Sequence, residues 1–338
     1  MESRKKLVYV DLLRSCAMYM VIALHCVTGY IGNTGIFASR TWWLCSVING
    51  IGRMGVPIFF MISGLLALSD SRSLDIKTFY KKRFSKILIP FIFWDIAYFL
   101  TACLANGTAP DIGLFFRELL RIGSKYHLWY VYQILALYLL APFIKKIVDA
   151  CSKGELLIFL FIVLLQPTIF RFINTVQSAV TVSPFLALVE GYVGYFLAGY
   201  ILGTWTFSRR QKGVIYALGI LGLAINIFGN YFISSPKQVM LTFTEGYSLS
   251  HYLCAGALFL LARELFENRS TPKHLAALAK MSYGVYLAHP MFIDIYFMLP
   301  VAAFNPTIIV ITQFLFVSAA TTIFVGLLSK IPVLRRLI

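Results

Sequence analysis

The chain has 338 residues, of which 59% are hydrophobic and 13% are charged, and its formal net charge is +16. A soluble domain carries about a quarter charged residues, so this composition excludes an ordinary soluble protein and favours a membrane protein. The excess of positive charge could indicate a nucleic-acid partner, but the distribution of the basic residues along the chain argues against it.

Ten apolar stretches follow one another and predict an all-α fold, a polytopic bundle of transmembrane helices. With both termini in the cytoplasm, 22 of the 30 Lys and Arg residues fall on the inner side and six in the outer loops. Positive charge accumulates on the cytoplasmic side of membrane proteins, so the charge indicates topology rather than nucleic-acid binding. No polar block is long enough for a soluble domain, and residues 1–338 are expected to form one integral-membrane domain. The predicted spans are residues 8–30, 42–68, 88–105, 127–144, 155–170, 184–206, 213–233, 246–262, 281–299 and 307–329.

The first predicted span contains three ionisable residues, Asp11, Arg14 and His25. A charged group at the centre of a bilayer costs about 2.5–3.5 kcal/mol on insertion scales, so such residues usually serve a function. On a helix, Arg14 and His25 lie about 20° apart in azimuth and about 16 Å apart along the axis, with Asp11 on the same side. Asp11 and Arg14 could simply pair near the interface and His25 could be an interior hydrogen-bonding residue. Alternatively, the stripe belongs to a site that crosses the membrane.

The second predicted span is irregular, because Asn49, Gly50, Gly52, Arg53, Gly55 and Pro57 fall within nine residues. Non-helical backbone at membrane depth is tolerated where it lines a cavity or is buried in protein. We therefore expect a helix break there that faces a polar interior.

Further polar residues follow in the later segments. Lys81, Lys82, Arg83 and Lys86 form a basic cluster before the third span. Topology and contact with lipid headgroups explain any one of these residues better than binding of phosphates does, but phosphate binding stays an alternative. The outer loop after Pro110 is expected to form a short helix. His127 and Tyr130 begin the fourth span, where aromatic residues commonly mark the interface, and Glu190 is an acid in the sixth. His289, before Pro290, is expected to have a packing or helix-breaking role.

Motifs for nucleotide-binding loops, serine-nucleophile elbows and zinc sites are absent from the sequence, and the six cysteines have no metal-ligand spacing. We expect neither a metal ion nor a tightly bound cofactor.

Five segments together resemble the acyltransferase family 3 membrane proteins. Arg14 and His25 fit the Arg-x10-His signature of that family's first helix, and MSYGVYLAHP (281–290) fits its late Ser-Tyr-Gly-x-Tyr-Leu-x-His-Pro pattern. The other three segments, in the same order as in the family, are RMGVPIFFMISGLL (53–66), KKRFSKILIPFIFW (81–94) and HLWYVYQILALYLLAPFI (127–144).

The resemblance implies a multi-pass protein of the bacterial plasma membrane that transfers an acyl group, most simply acetyl, from cytoplasmic acyl-CoA to a hydroxyl of a surface polysaccharide or lipid-linked glycan. His25 would act as general base, since a neutral imidazole can accept the hydroxyl proton. Asp11 would orient Arg14 or lower the cost of its charge, and Arg53 would stabilise the oxyanion or bond the freed carbonyls of the break. Arg14, Lys82, Arg83 and Lys86 would bind the donor, and His127, Tyr130 and Glu190 the acceptor. The expected partners are acyl-CoA, the glycan acceptor and membrane lipids.

A second interpretation comes from a different class of protein. The membrane halves of serine racemases of the vancomycin-resistance type resemble the same family and are thought to move serine. A serine or amino-acid transporter therefore remains the alternative. The two interpretations are distinguished by measuring whether the protein supports acyl-CoA-dependent acylation or amino-acid uptake.

Overall fold

A computed structural model of the chain describes residues 7–70, 75–176, 191–244, 248–301 and 304–338, without the side chains of 166–176. The described residues form helices and short connecting turns, in agreement with the predicted all-α fold. The helices are α1 (Val8–Ile31), α2 (Arg40–Gly52), α3 (Gly55–Leu68), α4 (Ile76–Ala105), α5 (Ile112–Arg121), α6 (Trp129–Ala150), α7 (Lys153–Val176), α8 (Tyr192–Thr204), α9 (Arg209–Ile233), α10 (Leu249–Phe266), α11 (Lys273–Phe297) and α12 (Pro306–Leu328).

Seven helical segments of the described residues are long and apolar enough to cross a membrane, so the protein is a multi-pass membrane protein. The predicted span at 155–170 lies within α7, and that at 281–299 is helical as far as Phe297, the end of α11, but the count of ten and the cytoplasmic termini stay predictions. The seven segments are Val8–Ile31, Arg40–Leu68, Ile76–Ala105, Tyr126–Ala150, Arg209–Ile233, Thr242–Phe266, of which residues 245–247 are not described, and Pro306–Leu328.

Helix α1 is the central element of the bundle. It packs against α2, α3, α10, α11 and α12, and residues along its whole length, from Val8 to Ile31, are buried. Because its neighbours come from both halves of the sequence, side chains of α1 can face residues that are far away along the chain.

The expected break in the second span is confirmed, since α2 ends at Gly52 and α3 begins at Gly55. A Cβ atom on Gly55 would lie 2.7 Å from the carbonyl oxygen of Ala17, so a glycine is required for this approach of the break to α1. Arg53 therefore lies at membrane depth beside the central helix, where its Nε donates to Asn49 Oδ1 at 3.4 Å.

Helices α3 and α8 approach one another closely through glycines. A Cβ atom on Gly64 would lie 1.8 Å from the carbonyl oxygen of Phe196, and one on Gly199 would lie 2.0 Å from that of Met61. Small residues allow membrane helices to bring their backbones together and gain van der Waals contact. This pair of helices stabilises the side of the bundle that carries α6 and α10.

The short helix predicted after Pro110 is confirmed as α5, with Asp111 as its N-cap. The basic cluster before the third span lies in the same helix as that span, because α4 runs without interruption from Ile76 to Ala105. Its 30 residues extend about 45 Å, which exceeds the hydrocarbon thickness of about 30 Å, so the basic first turns project beyond the apolar layer.

Candidate active site

Two cavities lie on opposite sides of a pair of tyrosines inside the bundle. The outer cavity has a volume of about 410 Å³ and contains His25, Arg53 and His127. The inner cavity, so named because the positive charge predicts that this end of the bundle is cytoplasmic, has a volume of about 720 Å³ and contains Arg14. Both volumes lie within the usual range of ligand sites.

The imidazole of His25 is held between two other rings in the outer cavity. Its ring centroid lies 4.9 Å from that of Tyr126 and 5.2 Å from that of His289, and the two imidazoles are stacked at an interplanar angle of 25°. Since α1 packs against α11, the two histidines meet although 264 positions separate them in the chain. The contacts limit rotation of the His25 ring and leave it facing the cavity.

The conformation of His289 follows from its neighbour Pro290. Proline has no N–H group, so the carbonyl four residues earlier, that of Tyr286, loses its helical hydrogen bond. The Nδ1 atom of His289 lies 2.6 Å from this carbonyl oxygen. A carbonyl only accepts, so Nδ1 carries the proton and Nε2 is the basic nitrogen of the neutral ring. This Nε2 atom is buried and has no hydrogen-bond partner among the described residues.

His127 is fixed in the opposite tautomer. Its Nε2 lies 3.3 Å from the carbonyl oxygen of Leu287, so Nε2 donates and Nδ1 is left as the acceptor. The backbone carbonyl of His127 accepts a hydrogen bond from the Tyr286 hydroxyl, and the ring packs at 5.3 Å from both Tyr286 and His289. His25 and His127 thus line the outer cavity, and His289 contacts both of their rings.

The inner cavity is strongly basic. Its described lining residues include six cations and no acid; the cations are Arg14, Arg83, Lys86, Lys280, Arg335 and Arg336. The guanidinium of Arg83 also lies 5.2 Å from the ring centroid of Tyr138 and 5.6 Å from that of Phe79, which fixes it by cation–π contacts. A cavity of this charge favours an anionic ligand.

Tyr130 and Tyr286 line both cavities and form the partition between them. Their ring centroids are 5.2 Å apart in a T-shaped arrangement. Arg14 and His25 therefore line two cavities that meet at this partition. The common stripe expected from the helical spacing agrees with this placement.

Asp11 and Lys82 are predicted site residues that line neither cavity. Asp11 forms no ion pair with Arg14 among the described residues, and its carbonyl accepts from Ser15 Oγ at 2.9 Å. Lys82 is exposed and does not line the inner cavity, since it is rotated by about 100° from Arg83 on the helix. Glu190 lies outside the described residues.

Some residues in or beside these cavities were not predicted to belong to the site. His289, which was expected to pack or to break the helix, packs on His25 without lining either cavity. Lys280, Arg335 and Arg336 were counted only as topological charge. The signal that could have identified His289 is the His-Pro dipeptide, because it frees a carbonyl that the histidine can bind.

Comparisons with known proteins agree with the geometry. A family model described as an acyltransferase domain, acyltransferase family 3, matches residues 7–330. The chain is also similar to proteins of Staphylococcus aureus named "Probable poly-beta-1,6-N-acetyl-D-glucosamine export protein". Those of strains MRSA252 and N315 are each 22% identical over 297 residues, which cover 86% of this chain and 83% of the relative. No solved structure matches. Because the family model covers nearly the whole chain, the protein belongs to the acyltransferase 3 family of membrane proteins.

Proposed function

We propose that the protein transfers an acyl group, acetyl in the simplest case, from cytoplasmic acyl-CoA to a hydroxyl of a surface polysaccharide or its lipid-linked precursor. One observation carries the proposal: a cationic cavity and an imidazole cavity meet at a shared pair of tyrosines. The first fits an anionic donor and the second fits removal of a proton from a neutral acceptor. The polysaccharide named for the relatives belongs to the proposed class of acceptor.

In the proposed mechanism, His25 takes the proton of the acceptor hydroxyl as its oxygen attacks the thioester carbonyl. A C–O bond forms and, when the tetrahedral intermediate collapses, the C–S bond breaks. The proton held by His25 goes to the departing thiolate, so the products are an ester and free CoA. Arg53, which lines the same cavity, is the candidate donor to the oxyanion. Neither a metal nor an acyl-histidine intermediate is required by this scheme.

His289 acts as a positioning residue in this proposal. Replacing His289 with alanine removes one of the two rings that confine the His25 imidazole, and a poorly oriented base is expected to lower kcat by about 10–100-fold. The KM for acyl-CoA should change little, because His289 does not line the inner cavity. Steady-state kinetics in purified membranes would measure kcat and the KM for acyl-CoA separately.

The matched control is His274→Ala, which removes an exposed histidine from the same helix. Equal kcat values for His289→Ala and wild type would contradict the positioning role. A change confined to the KM for acyl-CoA would contradict it as well.

Arg83 and Lys82 provide a test of the donor side. The two are adjacent basic residues, but only Arg83 lines the inner cavity. Loss of a charge-assisted hydrogen bond is expected to raise the KM for acyl-CoA about tenfold in Arg83→Gln. Lys82→Gln should behave as wild type. Similar KM values in the two variants would show that the cluster only sets topology.

The alternative favoured by the names of the relatives is polysaccharide export, and amino-acid transport is a further one. Cells that express the protein, and cells that lack it, would be compared for base-labile acyl groups on their surface glycans. Acyl esters present only with the protein would support transfer, and their mass would identify the donor. Unchanged acylation together with reduced surface polysaccharide would favour export, and altered serine uptake alone would favour transport.

A further inference from the structure

The segment that follows α12 closes one side of the inner cavity. Residues Leu334–Leu337 form a 3-10 turn, and the carbonyl oxygen of Leu337 accepts a hydrogen bond from Trp94 Nε1 at 2.9 Å. Ile338 packs on α11 so closely that a Cβ atom on Gly284 would lie 2.7 Å from Ile338 Cβ. The segment is therefore anchored between α4 and α11.

This anchoring places two arginines on the cavity wall. Arg335 and Arg336 line the inner cavity together with Lys280 of α11, and all three side chains are exposed. They lie at the mouth, whereas Arg14 is partly buried on the central helix beside Tyr130 and Tyr138. The cations thus come from separate elements, α1, α4, α11 and the final turn, and converge on one space.

Convergence of this kind is more than topology requires. The positive-inside rule counts charges near the ends of spans and does not demand that they face a common cavity. Lys330, which lies at the same end of α12, is exposed and does not line it. Positive charges held near one another repel, and an anion that occupies the space between them would remove this cost.

We propose that Arg335, Arg336 and Lys280 bind the nucleotide end of the donor, with the two arginines holding the adenosine 3'-phosphate. The assignment depends on the proposed function and extends it to residues outside the basic cluster of α4. The thioester must reach the partition formed by Tyr130 and Tyr286, so the opposite end of CoA lies at the mouth. A phosphate monoester carries about two negative charges at neutral pH and suits a pair of guanidinium groups.

The test compares CoA with 3'-dephospho-CoA, which lacks only this phosphate. The full chain would be reconstituted in nanodiscs of zwitterionic lipid, and the Kd of each ligand measured for wild type, for R335Q/R336Q, for Lys280→Gln and for the control Lys330→Gln. Wild type is expected to bind CoA about tenfold more tightly than dephospho-CoA. R335Q/R336Q should lose this preference and bind both ligands with nearly the same Kd, and Lys330→Gln should retain it.

Several outcomes would overturn the assignment. The assignment fails if R335Q/R336Q and Lys280→Gln both bind CoA with the wild-type Kd. If Arg83→Gln weakens CoA binding at the same time, the proposed function stays intact. Equal weakening of both ligands in R335Q/R336Q would exclude the 3'-phosphate as the group recognised. If wild type binds neither ligand, the donor part of the proposed function itself fails.

Anionic lipid headgroups also contain phosphate, so a separate experiment must distinguish them from the nucleotide. The measurements would be repeated in nanodiscs that contain phosphatidylglycerol. The ionic strength would be one at which Lys330→Gln and wild type behave alike. If wild type loses CoA binding in these nanodiscs, the cavity is a headgroup site and the assignment is overturned. Retained binding supports the nucleotide. If R335Q/R336Q does not yield monodisperse protein, the test uses Lys280→Gln, which alters no residue of the anchored turn. A wild-type Kd for CoA in Lys280→Gln would overturn the assignment, and weaker binding of CoA would support it.

Discussion

Replacing His25 with alanine is expected to lower acyl-ester formation by about 10²–10⁴-fold, the usual contribution of a general base. Alanine leaves no group in the outer cavity that can accept the hydroxyl proton at the same place, while the cations of the inner cavity are untouched. The KM for acyl-CoA should therefore stay close to that of wild type. The measurement is the amount of acyl ester formed per amount of folded protein in isolated membranes.

Cys16→Ala is the matched control for this substitution. Cys16 belongs to the same helix, but it is exposed and lines neither cavity. Wild-type kcat in Cys16→Ala together with a large loss in His25→Ala supports the base. If His25→Ala retains more than a third of the activity with equal amounts of protein, the proton must leave by another route.

Gly199→Ala is expected to destabilise the folded protein strongly. The new methyl group would lie 2.0 Å from the carbonyl oxygen of Met61, and a backbone atom within a helix cannot move aside alone. Helices α3 and α8 would have to separate, and overpacking typically costs about 1–3 kcal/mol. We expect a clear fall in the apparent Tm of the purified protein and a lower yield of monodisperse material.

Gly213→Ala serves as the control for the helix pair. No atom lies within 4 Å of a Cβ built at Gly213, which belongs to α9. Alanine favours helix over glycine by about 1 kcal/mol, so this variant should be as stable as wild type or slightly more stable. Equal Tm values for Gly199→Ala and Gly213→Ala would show that the close approach of α3 and α8 does not limit stability.

Periodicity and composition were sufficient for the local features of the fold. The break between Gly52 and Gly55 was predictable because glycine and proline act on the backbone at their own positions. The shared direction of Arg14 and His25 was predictable because both lie on one helix of known geometry. By contrast, the direct ion pair that the spacing of Asp11 and Arg14 permits is not present among the described residues. Sequence spacing permits a contact without determining the rotamers that make it.

The contacts that complete the site depend on packing between distant segments. Stacking of His289 on His25 requires α11 to lie against α1, and delivery of Arg335 and Arg336 requires the final turn to bind Trp94 and pack on Gly284. Neither contact produces a periodic pattern of residues that could be recognised in a single sequence. Lys82 and Arg83 could not be distinguished from the sequence for the same reason. Only the tertiary neighbours of α4 decide which of the two faces the cavity.

The paired rings of Tyr130 and Tyr286 also have an electrical consequence. Where two cavities of a membrane protein are separated by a thin barrier, most of the voltage across the membrane falls over that barrier. Each elementary charge that crosses is then subject to about 2.3 kcal/mol per 100 mV. A neutral acetyl group would cross without electrical work, so its transfer should proceed equally well in energised and in depolarised cells. A dicarboxylic acyl group such as succinyl would carry a charge through the field, and its transfer to the outside would be accelerated by the negative interior.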